Sequence, residues 1–305
     1  MSTSNRASLL NKIHRILRKT YKHTPPKGEQ PLLESLLFAC CLENARHDVA
    51  REAYDKLRGS FFDWNEIRVS TVKELAEVLA ALPEPAESAA RLKGILQSVF
   101  ESDYSFDLEQ LKKQNIGAAV KRLQKLQGAS PFNVAYATQT ALGGHSIPLD
   151  RGTFGALVVL GVVSESEAQA RVVPGLERAI PKSKGQEFGA LVHELGADFF
   201  ANPFSPSLRE LLVSIAPDAK DRFPKRTSKK PPPQPAPSEV PAKVAADGKK
   251  EDKKREAKKE SPAEKGKKKI EKRPARVSKG AAPARKPARA AKKTAAKTLA
   301  KRKPR

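Results

Sequence analysis

Cysteine is almost absent from this 305-residue chain. Cys40 and Cys41 sit side by side on an apolar helical run, where they cannot easily bridge each other, and no third cysteine exists to pair with either. A disulfide scaffold is therefore excluded, and a reducing, cytosolic setting is expected. Both thiols read as small buried hydrophobes. Long apolar runs are missing as well: no stretch approaches the ~18 residues of a membrane span. The opening MSTSNRASLLNKIHRILRK lacks the apolar core and cleavage site of a signal peptide. Its stripe of Leu9, Leu10, Ile13, Ile16 and Leu17 suits a helix docked on a core better than one lying on a membrane. Histidine is scarce, and His193-Glu194 has no second histidine at ligand spacing, so a zinc site is not expected. His193 reads as a packed helix residue.

Acidic residues are short in supply at one end only. From Ala219 onward there are 32 basic and 9 acidic residues, against 26 and 25 before it, so nearly all of the net charge of +24 lies in the last third. Apolar periodicity stops at about Pro217, PPPQPAP (231 to 237) reads as an extended spacer, and Lys-, Ala- and Pro-rich segments follow. With almost nothing apolar to bury, residues 218–305 are expected to be disordered. Dense lysine and arginine release counterions from a polyanion such as DNA, so polyanion binding is expected of this tail ahead of a merely solubilising role.

Ahead of the tail, 218 residues suffice for one large or two small cores without metal or disulfide. The periodicity is helical throughout. Residues 31 to 58 read as two helices around a corner at Glu43-Asn44. Phe61, Phe62 and Trp64 form an aromatic cluster, expected as a plug between helices, and Thr71 with Glu74 reads as a capping box. Leu82-Pro83-Glu84-Pro85 is a turn, and a helix bearing Ala89, Leu92, Ile95, Leu96 and Val99 follows. Residues 115 to 150 organise the chain. NIGAAVKRLQKL is a helix, Gln127-Gly128-Ala129-Ser130-Pro131 breaks it, FNVAYATQTAL restarts it, and Gly143-Gly144 ends it. Pro148-Leu149-Asp150 then leads into an apolar helix. Lys182-Ser183-Lys184-Gly185 reads as a basic turn before QEFGALVHELGADFF, and SLRELLVSI closes the globule.

This order of elements resembles the helix-hairpin-helix superfamily of DNA glycosylases, of which endonuclease III is the best known member. LQGAS matches its Leu-x-Gly-x-Gly hairpin, and Asp150 lies about where its catalytic aspartate follows. The likeness runs over roughly the first two hundred residues, and the tail resembles those of histone H1 and of lysine-rich nucleoid proteins. The resemblance implies an all-α, two-lobed helix-hairpin-helix glycosylase fold: residues 1–25 packing on the second lobe, a six-helix lobe at 26–144 and a second helical lobe at 145–217. Four positions depart from the family. Phe132 stands where a lyase carries its nucleophilic lysine, Ser130 replaces the second hairpin glycine, Arg151-Gly152 replaces threonine-histidine, and GADFFANPFSPSLRE holds none of the cluster cysteines. No iron–sulfur cluster is therefore expected.

The resemblance also implies roles. Backbone N–H groups around Gly128, Ala129, Ser130 and Phe132 would bind duplex phosphates without reading sequence, with Lys125 adding charge and hairpin carbonyls holding a monovalent cation. Asn44 would enter the space left by a flipped nucleotide, or else cap a helix. Asp150 would stabilise a sugar with cation character and orient water, or else cap the helix RGTFGAL. Without a lysine to form a Schiff base, any glycosylase activity would be monofunctional. Two functions follow as expectations: a monofunctional DNA N-glycosylase of base-excision repair, or a catalytically silent chromosome-binding or damage-sensing protein. Either would be monomeric, cytoplasmic and nucleoid-associated, with no membrane partner.

Overall fold

Caps written into the sequence divide the chain into helices. Asp63, Thr71, Asn115, Ser130, Asp150 and Ser164 each accept a backbone N–H of a following helix through their side chains, and Thr71, Ser130 and Ser164 complete reciprocal capping boxes. The structure, a computed structural model, describes residues 3–22 and 30–225. Its helices are α1 (Thr3–Thr20), α2 (Leu32–Leu42), α3 (His47–Ser60), α4 (Trp64–Val69), α5 (Val72–Val78), α6 (Pro85–Asp103), α7 (Ile116–Gln124) and α8 (Pro131–Thr140). After these come α9 (Arg151–Val159), α10 (Glu165–Gln169), α11 (Leu176–Ala179), α12 (Lys182–Ala201) and α13 (Pro206–Ile215). Glu109–Lys113 and Pro217–Arg222 are 3-10 turns, and no strand occurs among the described residues.

Two apolar cores organise these helices. The first is built on α2, whose residues are buried on every side apart from Glu34. That is why its sequence is apolar all round rather than striped. Leu36 and Leu37 meet Leu57 of α3, Leu92 and Leu96 of α6, and Leu123 of α7 in one cluster. At about 1.5–3 kcal/mol for each fully buried leucine, this cluster dominates the lobe's stability. The second core joins α9, α12 and α13, and α1 closes it with Leu10, Ile13 and Leu17.

The α9–α12 contact fixes the site described below. A Cβ on Gly196 would lie 2.5 Å from the Thr153 nitrogen, and one on Gly152 would lie 2.2 Å from the Gly196 carbonyl oxygen. Two glycines therefore let the helix backbones touch, which explains Gly152 at a position where the resembled family carries a larger residue.

Several elements differ from the sequence reading. The basic segment Lys182 to Gly185 is the first turn of α12 and not a loop before it. Residues 164–180 form two short helices, α10 and α11, joined by a turn. The second lobe also runs past residue 217: Ala219 is fully buried, Phe223 packs on the second core, and Arg222 Nε donates to the Val159 carbonyl. A 3-10 turn with one alanine and one phenylalanine carries too little periodicity to be seen in sequence. In the aromatic cluster, Phe61 and Trp64 pack on the first core, while Phe62 is 95% exposed. The loop near Pro25-Pro26 and the tail beyond Lys225 lie outside the described residues. No described helix is long and apolar enough to cross a membrane.

Candidate functional site

The hairpin between α7 and α8 is held from below by α6. Gly128 has φ +83, a conformation that costs glycine nothing. A Cβ there would also meet the Arg91 carbonyl oxygen at 2.7 Å. Ser130 does not share that conformation. At φ −80 and ψ 161 it is extended and serves as the N-cap of α8: its Oγ accepts from the Asn133 N–H, and its own N–H donates to Asn133 Oδ1. The serine hydroxyl donates in turn to Glu43 Oε2 at 2.7 Å, and Glu43 pairs with Arg91. Replacement of the second glycine has thus converted a turn position into a cap tied to α2 and α6. Gly128 and Lys125 remain exposed at the tip, and Ala129 is half-buried. Neither Gln127 nor Gly128 donates its N–H to another group among the described residues.

Asp150 is 1% exposed. Its Oδ1 accepts from the Thr153 N–H at 2.8 Å, capping α9, and its Oδ2 accepts from the Asn44 N–H at 3.0 Å. The same oxygen lies 3.0 Å from His193 Nδ1. The other imidazole nitrogen, Nε2, is 2.8 Å from the Ala45 carbonyl, which can only accept, so Nε2 carries a proton. Nδ1 faces the carboxylate at ion-pair distance without forming a hydrogen bond to it, and the carboxylate favours the doubly protonated imidazolium, so the two side chains stand as a buried ion pair. Burial alone would raise the Asp150 pKa, but the His193 charge and the Thr153 hydrogen bonds override it and hold it at about 2. Burial likewise pushes His193 down, and the Asp150 carboxylate reverses this to a net rise.

The space around the pair is filled. The Phe132 ring lies 5.4 Å from the His193 ring, centroid to centroid, and 6.4 Å from that of Tyr136, and Phe132 is itself 1% exposed. The gap bounded by Cys40, Glu43, Asn44, Glu84, Ser88 and Arg91 is about 160 Å³ and admits no water-sized sphere. Ligand pockets run to about 300–1,000 Å³, so this gap as it stands is too small for a nucleotide. The gap's rim is acidic: Glu84 and Glu87 pair with Arg151 and Arg91, leaving little free positive charge to meet a phosphate.

Asn44 has φ +63, which asparagine tolerates better than most residues. Its side chain is internal, with Nδ2 donating to Glu84 and Oδ1 accepting from the Gly152 N–H at 3.3 Å, so in this conformation it clamps the α2–α3 corner to the start of α9. Of the sequence-chosen residues, the structure brings Asn44 and Asp150 together, packs Phe132 at a tilt against the histidine that pairs with Asp150, and leaves Lys125, Gly128 and Ala129 at the hairpin. Ser130 joins the Glu43 network. Sequence reasoning missed Glu43, Arg91 and His193 as members. Each comes from a different helix, and no spacing connects them. No cluster of three or more His, Cys, Asp or Glu that would suit a metal occurs among the described residues.

No family model matches this chain, and no curated protein matches it by sequence. Solved structures do. A trapped covalent endonuclease III–DNA intermediate matches with a TM-score of 0.50 at 12% identity, covering 73% of this chain and 100% of that one. A thermostable thymine-DNA glycosylase matches with a TM-score of 0.50 at 15% identity, covering 72% of this chain and 100% of that one. A non-covalent endonuclease III–DNA complex gives a TM-score of 0.50 at 15% identity, covering 73% of this chain and 98% of that one. The chain has the helix-hairpin-helix DNA glycosylase fold, at low sequence identity.

Proposed function

We propose that this chain binds duplex DNA through its hairpin and its basic tail, and that its base-excision site is closed, making it a chromosome-associated or damage-sensing binder and not a glycosylase. One observation carries the reading. Asp150, the residue on which excision would depend, spends its oxygens on Thr153, Asn44 and His193 and is 1% exposed. A carboxylate stabilises a developing sugar cation only by facing it across a short, direct gap. Here His193 occupies the position facing Asp150 Oδ2.

DNA binding itself asks less of the site. The unpaired N–H groups of Gln127 and Gly128, the start of α8 and exposed Lys125 form a phosphate clamp of the kind that fixes a duplex without reading it. The tail supplies the long-range, salt-sensitive part.

The second reading, a monofunctional glycosylase, is favoured by Asp150 itself, since an aspartate stands at the family's catalytic position. Strand release separates the two. Duplexes carrying uracil, an oxidised pyrimidine or an alkylated purine are incubated with excess protein and read with and without alkali. The expected result is binding with no release from any lesion. Alkali-dependent release by the unaltered protein overturns the closed-site reading.

A further inference from the structure

The two basic features left unused by that function meet in space. The basic, amphipathic start of the chain is α1, and the Lys182-Ser183-Lys184-Gly185 segment is the first turn of α12. Between them lies a groove of about 500 Å³ lined by Asn11, His14, Arg15, Arg18, Lys19 and Lys184. Every lining side chain is polar and four are cationic. One carboxylate, Glu187, lies beneath and pairs with Arg18 at 2.9 Å and His14 at 3.1 Å. Arg15, Lys19 and Lys184 are exposed and make no ion pair among the described residues.

This concentration of charge is locally unfavourable. Lys182 and Lys184 stand in the first turn of a twenty-residue helix, where the macrodipole disfavours cations by about 0.3–1 kcal/mol each. Pro181 provides no side-chain cap for the helix's first N–H groups. Rule-breaking of this kind is expected where a site serves a ligand. An anion lying in the groove would answer two of these features, the unpaired cations and the dipole, while the Lys184 N–H is already taken up by the Pro181 carbonyl at 2.9 Å.

We propose that the α1–α12 groove is a second phosphate-binding surface for the nucleic-acid backbone, separate from the hairpin. The separation follows from α8. The hairpin precedes its first residue, whereas the first turn of α12 abuts its other end: a Cβ on Gly185 would lie 3.7 Å from Gln139 Nε2 in the last turn of α8 and 3.2 Å from the imidazole of His145, which follows the helix. Ten helical residues at about 1.5 Å each place the two surfaces roughly 15 Å apart along α8, so they neutralise different phosphates. The inference rests on the DNA-binding reading above. It adds a second lobe contact, which lets the globule hold DNA at two places.

The test uses the full chain and a short duplex, with affinity measured across a salt series. The groove variant is Arg15→Gln, Lys19→Gln and Lys184→Gln together. A charge-matched control, Lys56→Gln, Lys73→Gln and Lys113→Gln, removes exposed lysines elsewhere. Each contacted phosphate contributes about 0.9 to the slope of log K against log salt, so the groove variant should lose about 2–3 from that slope and the control clearly less. Equal losses in the two variants, or none in the groove variant, overturn the proposal. A second readout needs no variant: duplex should shield Lys19 and Lys184 from acetylation while Lys56 and Lys73 stay reactive. Shielding by inorganic phosphate but not by duplex would assign the groove to a free phosphorylated ligand and refute the DNA assignment. Gly128→Ala is run alongside to judge the underlying reading. If it weakens binding while the groove variant does not, only the groove inference fails; if neither alters binding, the globule's DNA-binding reading fails with it.

Discussion

Asp150→Asn should damage the fold more than any chemistry, and in a pH-dependent way. Asparagine caps a helix about as well as aspartate, so the bond to the Thr153 N–H survives. What is lost is the charge facing His193 at 3.0 Å. Breaking a buried ion pair from one side typically costs about 3–5 kcal/mol. His193 can escape by releasing its proton, so the lower end, about 3 kcal/mol, is expected near pH 6. The sign of the pH dependence follows from the two shifts. The Asp150 pKa is depressed, so its contribution is complete above the unfolded value of about 3.9 and disappears as pH falls towards 2. The His193 pKa is raised, so its contribution is complete below the unfolded value of about 6.5 and is lost as pH rises through the folded one.

The pair therefore stabilises fully between about pH 4 and 6.5. Above that, the gap between wild type and Asp150→Asn should narrow by up to about 1.4 kcal/mol per pH unit, until His193 titrates in the folded state. Urea unfolding at pH 6 and pH 8 measures both quantities, and because only the difference between the proteins is used, the other histidines cancel. Adding His193→Leu to Asp150→Asn removes both charges, and the double variant should be more stable than Asp150→Asn alone. A variant as stable as wild type at pH 6, or a deficit identical at both pH values, would refute the ion-pair assignment.

Other outcomes are equally concrete. Phe132→Lys, which restores the family's nucleophile, places an ammonium at a site 1% exposed, so it should cost about 3 kcal/mol or more and yield no borohydride-trappable adduct with an abasic duplex. Ser130→Ala removes the α8 cap and the bond to Glu43, and should lower the unfolding free energy by about 1–2 kcal/mol. Truncation after Lys225 deletes 29 basic and 8 acidic residues, so DNA affinity should fall and its salt dependence flatten. Thiol reagents should leave Cys40 and Cys41 unmodified in the native protein, since both are buried and burial pushes the Cys41 thiol to about 12.

Sequence alone revealed those parts of this molecule that depend on local spacing. Thr71 and Asp150 are legible because a capping side chain acts within three residues of itself, and Gly128 is legible because its conformation is intrinsic to one position. Legibility ends where partners come from different helices. Nothing near His193 marks it as the counter-ion of Asp150: its own helix simply reads as packed, and the pairing depends on Gly152 and Gly196 bringing α9 and α12 into backbone contact. Ser130 shows the same limit. Its hydroxyl donates to Glu43, which belongs to the α2–α3 corner, and only the fold brings that corner under the hairpin.

The departures from the family's motif are connected in this structure. Phe132 in place of lysine removes the nucleophile and supplies the ring that packs at a tilt against His193. Arg151-Gly152 in place of threonine-histidine gives a guanidinium that pairs with Glu84 and a glycine that admits α12 to backbone contact. Ser130 in place of glycine ties the hairpin to Glu43 and Arg91. Each change, taken alone, would leave a buried polar group or a void to relieve. Together they offset much of that cost: Asp150 faces His193, His193 meets the Phe132 ring and the Ala45 carbonyl, and Ser130 is hydrogen-bonded to Asn133 and Glu43. None of these contacts covers the hairpin tip, where Gly128 and Lys125 stay exposed.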